Sequence, residues 1–250
     1  RTVAFVSNRG GSQQIWTIRA DGGEARQITK FPVDVGNIQW SPTGSHLAFS
    51  ADVYPDADMD ETARRDKAKA DNPVKAMKFD RLFIRHWDTW SDGKRSHIFV
   101  LPMNKSDGAS GDWQATGDPA DLMRGVDGDC PIKPFGGAEE YAWSPDGKEI
   151  AYTTQLGNDE AWSTDLNIYL VPAVGGPARC ITEGNKATDT GPVYSPDGST
   201  IAYRAMARPG FESDRHRIKL YYRKTGKTRT LAEDWDRSPG SLVWSPDGRR

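Results

Sequence analysis

Apolar residues in this chain fall in short runs that often alternate with polar ones, and clusters of Gly, Asn, Asp, Ser and Pro separate the runs. Alternation with period two, bounded by turn formers, predicts strands. Residues 2–7 and 13–19 read as two strands joined by Asn8-Arg9-Gly10-Gly11, and 26–29 follows after Asp21-Gly22-Gly23. The same succession returns at 167–172 and 178–182 across Gly175-Gly176, and at 218–222 and 228–231 across Thr225-Gly226-Lys227. One stretch breaks the pattern: residues 56–70 place acids early and bases late, which suits a helix dipole, and Pro73 stops it.

A signature recurs through these strands. Trp143-Ser144-Pro145-Asp146-Gly147 is followed by Ile150-Ala151-Tyr152, and Tyr194-Ser195-Pro196-Asp197-Gly198 by Ile201-Ala202-Tyr203. Trp40-Ser41-Pro42-Thr43-Gly44 precedes Leu47-Ala48-Phe49, and a further copy stands at Trp244-Ser245-Pro246-Asp247-Gly248. Trp143 to Tyr194 is 51 residues, Tyr194 to Trp244 is 50, and Trp40 to Trp143 is 103. Pro sets φ at the second position of a type I turn, Asp or Thr suits the third, and Gly closes it, so each copy predicts a hairpin. A hairpin plus a two-strand meander makes four antiparallel strands per unit. Four strands at a period near 50 residues is the arithmetic of a β-propeller blade.

The predicted fold is therefore all-β, with about three full blades, two partial ones and a partly helical insertion near 52–80. Boundaries fall at 1–30 (partial), 37–117, 139–183, 191–232 and 241–250 (partial). Closed propellers have four to eight blades, so the expectation is a partial propeller that continues in a longer chain. Within the oversized second unit, residues 81–90 alternate and are aromatic, which predicts a strand paired with 97–101 across Ser91-Asp92-Gly93-Lys94. The helical insertion has almost no apolar face, and reads as a solvated helix before it reads as a lid or subunit contact.

Charge narrows the partners. A net charge of −2 and no basic stripe give no reason to expect nucleic acid. No apolar run approaches the roughly 20 residues that span a bilayer. The chain opens as a strand already under way, so no signal peptide is visible and the N-terminus does not define a compartment. Cys130 and Cys180 lack ligand spacing and read as two free thiols, with a disulfide as the minor reading. No catalytic triad, metal site or cofactor cradle is expected. Gly108-Ala109-Ser110-Gly111 lacks the residue that a nucleophile elbow needs between Ser and Gly. His46, His86, His97 and His216 have no ligand spacing, and each Ser-Pro-Asp-Gly turn offers one carboxylate where calcium needs several oxygens. Two acidic spots stand out: Glu139-Glu140 before the third unit, and the charged loop 208–215, which holds Phe211 and Glu212.

The repeats resemble those of prolyl oligopeptidase family serine peptidases and of the translocation protein TolB. Ala51-Asp52-Val53-Tyr54-Pro55, the insertion, and the run from Arg85-His86-Trp87-Asp88-Thr89-Trp90 through His97-Ile98-Phe99-Val100 resemble the acylaminoacyl-peptidase and dipeptidyl-peptidase 5 branch. Pro134-Phe135-Gly136-Gly137-Ala138-Glu139-Glu140 and Met206-Ala207-Arg208-Pro209-Gly210-Phe211-Glu212 fit the same branch. The resemblance implies an N-terminal propeller that gates a C-terminal α/β-hydrolase domain, absent from these residues, in an exopeptidase releasing dipeptides or acylated amino acids. It implies a short peptide as substrate, held at its amino end by propeller acids, and a bacterial setting with the periplasm favoured over the cytoplasm. A homodimer stays open. Glu212 with Phe211 beside it is the first candidate for that role, and Glu139 or Glu140 the second. The alternative is a TolB-like propeller that binds proteins and carries no enzyme.

Overall fold

The computed structural model describes residues 1–106, 112–157 and 159–250. The 108–111 stretch considered above lies outside them.

Four antiparallel sheets follow one another along the chain. The first contains β1 (Thr2–Ser7), β2 (Gln14–Arg19) and β3 (Arg26–Gln27). The second begins with β4 (Val35–Trp40) and β5 (His46–Val53). Then come helix α1 (Met59–Asp71) and a ribbon of β6 (Arg85–His86) and β7 (Thr89–Trp90). The sheet resumes with β8 (Arg95–Lys105), on which both β9 (Trp113–Ala115) and β10 (Ala120–Asp121) pair. The third holds β11 (Tyr141–Trp143), β12 (Glu149–Thr154), β13 (Asn167–Pro172) and β14 (Arg179–Cys180). The fourth holds β15 (Asp189–Tyr194), β16 (Thr200–Ala205), β17 (Arg217–Tyr222) and β18 (Lys227–Leu231). The third and fourth sheets run in chain order, as the meander pattern predicts.

The repeated turn works through its serine. In each copy the Gly N–H donates to the Ser carbonyl, at 2.9 Å for Gly44, Gly147 and Gly248 and 2.8 Å for Gly198. The Ser Oγ then accepts the N–H that opens the next strand: His46 to Ser41, Glu149 to Ser144 and Thr200 to Ser195, each at 3.0 Å. Where the third residue is Asp, the hydroxyl donates to it at 2.6–2.7 Å. The hydroxyl thus pins both sides of the reversal, and Gly is required because its φ is 67–73° in all four copies. The fourth copy forms the same turn, with Arg250 N–H on Ser245 Oγ at 2.9 Å, but residues 241–250 contain no strand.

Core packing sits between successive sheets. Leu47, Phe49, Ala51 and Val53 on one face of β5 meet Ile15 of the first sheet, with Phe99 and Leu101 beside them. Ala48, Ile98 and Val100 on the other face meet Tyr141, Ile150, Tyr152 and Val171 of the third. Ala151, Ile168 and Leu170 meet Tyr194, Ile201 and Tyr203 of the fourth. Alternate residues of a strand point to opposite faces, so a strand buried on both sides carries apolar residues at consecutive positions, as Leu47-Ala48-Phe49 and Ile98-Phe99-Val100-Leu101 do. Between the second and third sheets, the Tyr141 hydroxyl donates to the Asn37 carbonyl, and Gln39 Nε2 to the Ala138 and Tyr141 carbonyls at 2.5 and 3.0 Å.

The same rule corrects the reading of residues 81–90. They do not pair with 97–101. β5 pairs with β8 over eight positions, from His46 opposite Pro102 to Val53 opposite Arg95. Ile98-Phe99-Val100-Leu101 suits that place because both of its faces are covered. The stretch 81–90 carries Arg81, Arg85 and Asp88, and Trp87 takes a left-handed φ of 53°, so it folds on itself as the separate β6–β7 ribbon. Its aromatic rings stay outside the core, with Trp87 69% and Trp90 52% exposed.

Helix α1 follows its charge pattern. Asp58 caps it by accepting the Glu61 N–H at 2.7 Å, Asp60 and Glu61 occupy the first turn, and Lys69 the last. Met59 and Thr62 are its buried residues, so the helix is mostly solvated, as its sequence predicts. Tyr54 ties it down, donating to Asp66 at 2.9 Å and stacking under Lys69 at 4.7 Å.

Candidate functional site

β5, β12 and β16 all end, and β8, β13 and β15 all begin, at one edge of the sheets, and the loops there enclose a cleft of about 510 Å³. That volume lies within the range of small-molecule pockets. Its lining draws on Asp52 at the end of β5, Lys94 and Arg95 at the start of β8, loop residues Asp129, Ile132 and Lys133, and Gln155, Glu160 and Thr164 after β12. Met206 and Glu212, and Phe83, His86 and Trp90 of the ribbon stretch, complete the lining.

Arg95 organises the charged floor. Its Nε donates to Asp127 at 2.7 Å, one terminal nitrogen to Asp129 at 2.9 Å, and both terminal nitrogens to Glu160 at 3.1 and 3.2 Å. Burial works against the guanidinium charge, yet the surrounding carboxylates raise its pKa further. Burial likewise opposes ionisation of Asp127, but Arg95 and Arg81 hold its carboxyl below the usual range. Asp129 also accepts the Ser96 N–H at 2.7 Å, fixing it to the strand. Lys133 lies 2.9 Å from Asp52, and Lys94 2.8 Å from Asp66 and 3.2 Å from Asp92.

Five carboxylates and three cations line the cleft, and every cation is engaged by acids. Asp52, Asp92, Asp129 and Glu160 are each paired in turn. Glu212 is the one lining carboxylate with no hydrogen bond or ion pair among the described residues. Its loop is nevertheless fixed: Asp214 accepts the Ala207 and Arg208 N–H groups at 2.8 and 3.0 Å, and the Gly210 N–H donates to Thr164 at 2.9 Å. The cleft therefore presents one uncommitted negative charge on an anchored loop.

The other predicted site residues do not join it. Phe211 stacks under the Arg208 guanidinium at 4.0 Å and is not part of the lining. Glu139 and Glu140 form a short 3-10 turn before β11 and are not part of the lining. Glu139 is exposed. Glu140 spends its carboxylate on the Ile132 N–H at 2.6 Å, and burial, with help from Glu139, pushes its pKa up to about 7. Glu140 thus steadies the loop that carries Ile132 and Lys133 into the cleft.

Sequence reasoning missed the Arg95 cluster, Glu160 and the ribbon's aromatic wall. Their signal was weak because they come from separate loops that only the stacking of sheets brings together. His97 is fully buried, with Asp121 at 3.1 Å and the Val126 carbonyl at 3.0 Å on its two ring nitrogens, and serves the loop after β10. Cys130 and Cys180 are free thiols. Among the described residues there is no group of three or more His, Cys, Asp or Glu side chains placed to hold a metal ion, and no helix long and apolar enough to cross a membrane.

Successive four-stranded antiparallel sheets packed face to face define a β-propeller chain, and solved structures agree. An acylaminoacyl peptidase from Pyrococcus horikoshii matches with a TM-score of 0.57 at 15% identity, over 95% of this chain and 31% of that one. TolB from Acinetobacter baumannii matches at 0.50 and 15% identity, over 99% of this chain and 45% of that one. No family model matches the sequence. The relationship in sequence is to dipeptidyl-peptidase 5: the protein of that name from Porphyromonas gingivalis is 33% identical over 260 residues, covering 100% of this chain and 35% of the relative. The chain is thus a homologue of the dipeptidyl-peptidase 5 proteins and spans about a third of their length.

Proposed function

We propose that this chain is the substrate-gating propeller of a serine exopeptidase that releases dipeptides or acylated amino acids from short peptides, and that Glu212 holds the substrate's amino end. The observation that carries this reading is the unpaired Glu212 carboxylate in a cleft whose other acids are all committed. An α-ammonium brought to it forms a charge-assisted hydrogen bond, stronger than its neutral counterpart. A blocked amino end offers no such charge, so Glu212 in this role favours release of dipeptides over release of acylated amino acids. Homology to dipeptidyl-peptidase 5 supports the peptidase setting, in which an α/β-hydrolase domain of the same polypeptide supplies the nucleophile. No residue of this chain is assigned to that chemistry.

The division of 1–250 into blades at 1–30, 37–117, 139–183, 191–232 and 241–250 is part of the same proposal, with one adjustment at the second: β10 extends its sheet to Asp121. The test is made on the full-length protein. It should release p-nitroaniline from dipeptidyl anilides and react covalently with a fluorophosphonate. Absence of both reactions would return the chain to the reading as a protein-binding propeller of TolB type.

A further inference from the structure

The aromatic part of the cleft lining is distinct from the charged cluster around Arg95. It is built from the β6–β7 ribbon, whose Phe83, His86 and Trp90 all face the cavity. Phe83 stacks on His86 with ring centroids 4.8 Å apart and planes 19° apart. Trp90 stacks on Phe79 at 5.8 Å and carries the Arg85 guanidinium at 5.9 Å. These stacked contacts fix the rings without burying them, and Trp90 remains half exposed.

The ribbon is anchored to the rest of the fold. The Ser91 N–H donates to the Ile84 carbonyl at 3.0 Å and closes the hairpin. Lys69 of α1 donates to the Asp92 carbonyl at 2.9 Å, and the Lys94 N–H to Asp92 Oδ1 at 3.0 Å. The insertion thus holds the ribbon against the cleft from the helix side. Ile132, Pro134, Leu166 and Met206 add further apolar surface to the same cavity.

We propose that the 81–90 ribbon is a side-chain subsite that selects a large apolar residue at the amino terminus of the peptide. The proposal rests on the reading of Glu212 as the ammonium-binding group. A peptide anchored there carries its first side chain one bond from the ammonium-bearing carbon, so that side chain is the one confined to the same cavity. An aromatic wall left half exposed gains by covering, while the paired floor of Arg95, Asp129 and Glu160 gains nothing from an apolar contact. A flat aromatic face also accepts Phe, Leu or Ile alike, so the selection is by size and apolarity.

The dipeptides Phe-Gly, Gly-Phe and Gly-Gly, which a dipeptidyl peptidase does not cleave further, serve as probes in calorimetric titrations of the full-length protein. Phe-Gly should bind roughly 10-fold more tightly than Gly-Gly, in line with the discrimination that apolar pockets reach, and Gly-Phe should bind like Gly-Gly. Trp90→Ala should bring that preference down to about 2-fold while leaving Gly-Gly affinity unchanged, and Trp90→Phe should keep most of it. Trp87→Ala, on the ribbon but outside the cavity, should leave the preference intact and controls for disruption of the hairpin. Glu212→Gln should weaken Phe-Gly and Gly-Gly by the same factor and preserve their ratio. Loss of the preference in Trp90→Ala with no effect of Glu212→Gln would keep the subsite and remove the ammonium reading. A preference that survives Trp90→Ala, that follows the second residue, or that is absent because none of the dipeptides binds, would overturn the subsite.

Discussion

Replacing Arg95 with Met tests the electrostatic account of the cleft most severely. The side chain is 13% exposed and meets three carboxylates, so the substitution removes four hydrogen bonds from one guanidinium. The partners do not lose equally. Asp127 keeps Arg81 at 2.7 Å, and Asp129 keeps the Ser96 N–H and Lys133 at 3.6 Å, whereas Glu160 is left with no ion pair among the described residues. Breaking a buried pair from one side costs about 3–5 kcal/mol. Two of the three acids retain a cation here, so about 3 kcal/mol is expected near neutral pH. That corresponds to a fall in Tm of roughly 6–12 °C for a chain of this size. The penalty comes from repulsion among acids, so it should shrink as pH falls toward 4 and they take up protons. Adding Glu160→Gln to Arg95→Met should restore about 1 kcal/mol. Urea unfolding of wild type and both variants at pH 7.5 and 4.5 provides the numbers. A loss under about 1 kcal/mol, or one identical at both pH values, would refute the reasoning.

Two further predictions concern the frame. Asp189 is 1% exposed, accepts Asn185 Nδ2 at 3.0 Å through one oxygen, and leaves the other without a partner; burial pushes its pKa up to about 7, as it does that of Glu140. A carboxyl whose folded pKa is raised adds stability that is complete below its unfolded pKa and is lost as pH rises through 7. The Tm of Asp189→Asn relative to wild type should therefore climb between pH 5 and pH 8 in a thermal scan, and a constant difference would contradict this. Ser144→Ala removes the pin that accepts the Glu149 N–H at 3.0 Å and donates to Asp146 at 2.7 Å, at a buried position. Urea unfolding should show a loss of about 1–2 kcal/mol, and no measurable loss would show that Pro and Gly alone set the turn.

The frame was legible in the sequence because it repeats. Ser-Pro-Asp-Gly followed by Ile-Ala-Tyr encodes a turn and a buried strand through local chemistry, and the spacing of its copies gave the succession of sheets. Helix α1 was equally plain, since its cap, first-turn acids and closing proline lie within the segment itself. The ribbon at 81–90 was misassigned for a reason of the same kind: its alternation matches a core strand, but alternation does not say which of two candidates β5 will choose. Ile98 to Leu101 took the place because a strand covered on both faces must be apolar at consecutive positions. Glu212 was found from its charged loop, while Glu160 and Arg95, 65 residues apart, were not, because nothing in the chain between them announces their meeting. Glu140 looked like Glu212 in sequence but is drawn under the Ile132 N–H and lies outside the cleft lining, while Glu212 lines the cleft.

The proposed role of the cleft turns on whether Glu212 receives an amino end. In the full-length protein, kcat/KM for a dipeptidyl anilide with a free amino terminus should fall roughly 10- to 100-fold in Glu212→Gln, the scale of one charge-assisted hydrogen bond. The same anilide acetylated at its amino end should be turned over at an unchanged rate by both proteins. Equal kcat/KM for wild type and Glu212→Gln on the free substrate would contradict the central claim.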